Sequence, residues 1–114
     1  MDLEPTFAAL RALMLDAAAD QVVASDQPGD LVLHGRATDP RSGKPVWFGA
    51  VTLRARYVAY HLFPLYADPA LGAALSPALK RRQQGKSCFN FATLDPVLAA
   101  ELAELTRQAN AAVG

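Results

Sequence analysis

A chain of 114 residues, 52% of them hydrophobic, is sized for one folded domain burying about 60–70% of the surface its unfolded form would expose. Eleven basic and eleven acidic side chains cancel to a formal net charge of zero, which argues against non-specific nucleic-acid binding because that needs an excess of Lys and Arg to release phosphate counterions. The single cysteine excludes an intrachain disulfide framework. No apolar run approaches the ~20 residues that span a bilayer, and the acidic start MDLE lacks the positive charge of a secretory signal, so a cytoplasmic protein with no membrane partner is expected.

In chain order, Pro5 suits the first turn of a helix, and Phe7, Leu10, Leu13 (or Met14) and Ala17 recur at helical spacing, predicting an amphipathic helix over 4–20 with Arg11, Asp16 and Asp20 outside. A strand is expected to start at 21–24, to turn through Asp26-Gln27-Pro28-Gly29-Asp30, and to return over 31–34. After the break at 39–44, residues 46–53 and 57–63 read as two further strands, with Arg54-Ala55-Arg56 as a short hairpin loop. The second half pairs a capping side chain with proline three times: Asp68-Pro69, Ser76-Pro77 and Asp95-Pro96. The first two predict short helices, the second closed by Gly85, and the third predicts a C-terminal helix. That last helix would put Leu98, Leu102, Leu105 and Ala109 on one face and leave Glu101, Glu104 and Arg107 to solvent. Between them, 87–91 reads as a strand. The expectation is one α+β domain over 1–114: an antiparallel sheet of about four to five strands packed against N- and C-terminal helices, with short helices before the last strand.

Familiar catalytic motifs fail on inspection. Gly85-Lys86-Ser87 ends like a phosphate loop, but Lys80 stands where its first glycine belongs; read as a nucleophile elbow, the same segment has Phe89 in place of the closing glycine. Spacing reveals no paired carboxylates or nucleophile–base pair, so an enzyme is not the favoured reading; His61, Cys88 and a carboxylate meeting in a pocket would revive it. Cys88 has a reactive reading, beside Lys86, and a core reading, which strand alternation favours. His34 and His61 lack metal-cage spacing and read as structural.

The feature that stands out is charge: no acidic residue lies between Asp68 and Asp95, and Lys80, Arg81, Arg82 and Lys86 fall in that gap. These cations suit a helix C-terminus, and the two arginines also offer planar forks to carboxylate or phosphate. With Tyr57, Tyr60, His61 and Asn90 from the flanking strands they form a candidate basic and aromatic surface for a small anion, an acidic peptide or an acidic partner protein. Aromatics at 47, 48, 57, 60, 63 and 66, with Arg54 and Arg56, would also suit single-stranded nucleic acid, but the balanced net charge makes nucleic acid an unlikely partner. A chain this short and apolar is also open to forming a homodimer across an exposed face.

The segments YVAYHLFPLY at 57–66 and LKRRQQGKSCFNF at 79–91 resemble the DUF1801, or YdhG-like, group of small and largely uncharacterised bacterial proteins, best over 46–105. The resemblance implies an antiparallel sheet packed against terminal helices and carries over no catalytic residue. Some relatives are described as frataxin-like iron chaperones that hold iron on an acidic ridge. The corresponding residues here are Asp16, Asp20, Asp26 and Asp30, which makes iron the alternative ligand to the anion; otherwise no cofactor is expected.

Overall fold

The computed structural model describes residues 2–113. Its elements are α1 (Glu4–Ala17), β1 (Val22–Gln27), β2 (Asp30–Thr38), β3 (Pro45–Leu53), β4 (Val58–Leu62), α2 (Pro64–Ala67), a 3-10 turn (Pro69–Gly72), α3 (Pro77–Lys80), β5 (Gln83–Gln84), β6 (Cys88–Phe91) and α4 (Pro96–Val113). The strands form one antiparallel sheet in the order β1-β2-β3-β4-β6-β5. The α+β class stands, with six strands instead of four to five. The additional strand is β5, two residues that turn back onto β6 through Gly85 (φ 72°). Gly85 therefore uses its left-handed freedom in a hairpin and does not close a helix; α3 has already ended at Lys80.

All three proline-led starts are capped as expected. Asp68 accepts from the Ala70 amide at 3.2 Å, Ser76 from Leu79 at 3.2 Å, and Asp95 from Val97 at 2.7 Å. The helix α1 stops at Ala17, three residues early, so Asp20 lies in the turn that follows.

The helices gather on one side of the sheet, α1 against α4, with α2, the 3-10 turn and α3 each packed on α4. Strand alternation sends Leu31, Leu33, Val51, Val58, Tyr60, Leu62, Phe89 and Phe91 to that side, where they meet Phe7, Leu10, Met14, Leu98, Leu102 and Leu105. One extra residue in β3, Phe48, opposes the step from Leu33 to His34; it turns inward while Trp47 remains outside. At Gly49 the helix presses closest: a Cβ there would lie 2.7 Å from Met14 Cε and 2.9 Å from the His61 carbonyl oxygen.

Tyr60 is fully buried in this core. The Thr106 hydroxyl gives its proton to the Leu102 carbonyl at 2.8 Å, so the Tyr60 hydroxyl, 2.7 Å from Thr106 Oγ1, is the donor of that pair. Burial holds the phenol well above its ordinary pKa. Left unpaired, such a buried hydroxyl would cost about 1–3 kcal/mol.

Candidate functional site

Among the described residues the other face of the sheet carries no helix, and its residues form three rows across the strands. One is polar: Gln27, Asp30, Thr52, Ala59 and Asn90 lie opposite one another in turn. The next holds Ser25, Val32, Ala50, His61, Cys88 and Gln84. The third is aromatic: His34 lies 5.3 Å from Trp47, Trp47 packs edge-on to Phe63 at 5.5 Å, and Phe63 stacks on His61 at 5.8 Å. Trp47 remains 50% exposed.

The middle and polar rows bring together the chemistry that residue spacing hid. Cys88 Sγ lies 3.5 Å from His61 Nε2 and 3.4 Å from Asn90 Oδ1. Ala50 and Ala59, small and buried, form the floor beside them. Burial is the main cause that lowers the His61 pKa, and the Arg54 cation adds to it. Burial likewise raises the Cys88 pKa, while Arg54 pulls the other way. Both residues are therefore biased to their neutral forms, thiol and imidazole, against the thiolate–imidazolium pair of a cysteine nucleophile. Asn90 occupies the place of a third group where an enzyme would set an orienting carboxylate, and the cluster lies on an open face. It is a polar patch with a cation beside it.

Cys88 is thus half-buried on the open face and not in the core, because Phe89 and Phe91 take the two inward positions of β6. Tyr60 drops out of the ligand surface for the complementary reason: its neighbours Ala59 and His61 face outward, so it faces the helices. Tyr57 remains exposed just before β4, its carbonyl accepting from the Arg54 amide at 2.9 Å.

The basic residues are divided. The Arg82 carbonyl accepts from the Asn90 amide at 2.8 Å, and Val58 pairs with Phe91. Lys80, Arg81 and Arg82 therefore share the end of the β4–β6–β5 half with Arg54, Arg56 and Tyr57. Lys86 sits at the opposite end, in the β5–β6 turn, on a shallow depression with Leu65, Pro69, Gly72 and Gln83. Among the described residues the ion pairs are Arg11–Asp26, Arg36–Asp20 and Arg107–Glu104, so none of these six cations is paired. Arg54, absent from the expected binding set, is the cation closest in effect to His61 and Cys88. Its signal was the strand alternation that puts Thr52 and Arg54 on one face.

The four aspartates are not brought together. Asp26 is held by Arg11, and Asp20 by Asn110 at 2.7 Å and Arg36 at 2.8 Å. Asp30 lies in the polar row, 3.4 Å from Thr52 Oγ1, and Asp16 stays on the surface of α1. Among the described residues no three His, Cys, Asp or Glu side chains group closely enough to hold a metal ion. No helix of the described residues is long and apolar enough to cross a membrane. Comparison of the chain with protein-family models, with curated proteins and with solved structures gives no match.

Proposed function

We propose that this chain is a non-enzymatic binding domain of the DUF1801-like kind, taking a small anion or an acidic partner on the open face of its sheet. The observation that carries the reading is Arg54: a guanidinium unpaired among the described residues, whose field reaches a polar cluster of His61, Cys88 and Asn90 on the sheet face away from the described helices. A neutral imidazole, a thiol and an amide can each donate a hydrogen bond to an anion's oxygens without bringing a competing negative charge. Arg54 supplies the charge, and Lys80, Arg81 and Arg82 extend the field along the same end of the sheet. The neutral bias of Cys88 and His61 favours binding over nucleophilic chemistry. In this reading the domain works in the cytoplasm, where a free thiol stays reduced.

Inorganic phosphate and a poly-glutamate peptide are the probes, followed by amide NMR of the reduced protein. Saturable shifts are expected at His61, Cys88 and Asn90, weakening as salt rises. Replacing Arg54 by Gln should lower the affinity about ten- to hundredfold, the worth of a charge-assisted hydrogen bond. Joint replacement of Arg81 and Arg82 should reduce peptide binding more than phosphate binding. Shifts that scatter over the surface, or an affinity indifferent to Arg54, would refute the assignment.

A further inference from the structure

The fold divides the aromatic residues that the sequence offers as stacking surfaces. Phe48 and Tyr60 are buried in the core, and Tyr57 stands at the far end of β4 from Phe63. Trp47 and Phe63 are the members of that set that meet, edge-on at 5.5 Å. Their meeting follows from the extra residue in β3, since the Phe48 carbonyl there accepts from the Phe63 amide at 2.9 Å and ties the end of β4 beside Trp47. His34 on one side and His61 on the other complete a run of four rings.

This run crosses only β2, β3 and β4, a width of about 10 Å. It is too short for a succession of bases and wide enough for one flat ligand. Trp47, 50% exposed, leaves an indole surface open for a ring to stack on. The ground next to it is low. Ala50 follows in the middle row, opposite His61, and its methyl is the smallest side chain between the indole and the imidazole.

The same ground leads to the anion cluster. Successive rows lie about 7 Å apart along a strand, so a ring against Trp47 carries a substituent on a short linker to His61, Cys88 and Asn90. Asp30, the carboxylate of the polar row, stands on β2, two strands or about 10 Å from β4. Its repulsion and the attraction of Arg54 both direct a negative group toward β4 and β6.

Resting on the anion-binding reading, we propose that the ligand is a small aromatic anion. Its charged group lies at His61, Cys88 and Asn90 beside Arg54, and its flat ring lies over Ala50 against Trp47.

Inorganic phosphate, phenethyl phosphate and cyclohexylethyl phosphate are the probes, followed by amide NMR and by fluorescence. Trp47 is the one tryptophan of the chain, so the emission reports the ring site alone. Phenethyl phosphate should bind about tenfold or more tighter than inorganic phosphate, the worth of one ring stacked on an aromatic side chain, and should change the emission saturably. Cyclohexylethyl phosphate, of similar size without a π-face, should fall between the two. Trp47→Ala should abolish the difference between phenethyl phosphate and phosphate. If phosphate shifts His61, Cys88 and Asn90 while phenethyl phosphate binds no tighter, the ring site is refuted and the anion reading survives. If neither probe shifts that cluster, both fall together. Equal affinity for the phenyl and cyclohexyl compounds would overturn recognition of an aromatic ring. The three probes are compared on the unaltered protein, so the answer stands even if the alanine variant folds poorly.

Discussion

Cys88 and His61 show how one pair of contacts depends on a whole sheet. The residues are 27 apart in sequence, and they meet only because β6 enters beside β4 with His61 opposite Cys88. No spacing rule reports that neighbour, which is why strand alternation alone favours the core for Cys88 and names His61 for the ligand surface without its partner. Alternation around Phe89 and Phe91 did hold the information that Cys88 faces away from the core, once the inward side of the strand was known. Burial holds the thiol up and the imidazole down, with Arg54 favouring the thiolate. At mildly alkaline pH, iodoacetamide should therefore modify Cys88 more slowly than a free cysteine. Arg54→Gln should slow it further and raise the titration midpoint of His61, followed by its ring proton resonances. A Cys88 that reacts faster than free thiol would contradict this picture.

At the scale of elements, the local signals were well expressed and the tertiary ones were not. Three capping residues each before a proline marked three helix starts, because cap chemistry is settled within three residues of chain. The short strand β5 left no such trace; Gln83 and Gln84 are extended only because β6 pairs with them. Glu101 is a related case. Helical periodicity assigned it to solvent, yet it accepts from the Ser76 amide at 2.8 Å and the Ser76 hydroxyl at 2.6 Å. One carboxylate of α4 thereby clamps the corner from which α3 starts. Glu101→Ala should loosen the stretch 68–82 locally, accelerating its amide hydrogen exchange about tenfold or more, as expected for loss of charge-assisted hydrogen bonds. Exchange in β3 and β4 should be nearly unaffected. Uniform acceleration through the sheet would mean that the clamp supports the entire fold and not its corner.

For the whole molecule, acid is the informative stress. The carboxyl of Asp20 is lowered below its ordinary range chiefly by the hydrogen bond from Asn110, with Arg36 contributing, and that of Asp26 by Arg11. These contacts join α1 to β1 and the following turn to α4 and β2. A carboxyl lowered on folding binds fewer protons in the native state than in the unfolded chain. Its stabilisation is complete above the unfolded value of about 4 and fades as pH falls through the native one. The urea midpoint should hold steady near neutrality and decline below about pH 4, with Asp20→Asn showing a shallower decline. A decline that begins well above that range would point to other groups.

The one-sided placement of the helices divides each strand between two masters. Alternate residues must fit Met14, Leu102 and their neighbours at near-crystalline density. Those between them, such as Val32 and His61, answer to no helix. Substitutions on the outer rows can therefore accumulate without disturbing the packed interior. The fold separates the part of its sequence that must be conserved to exist from the part that is free to acquire a new specificity.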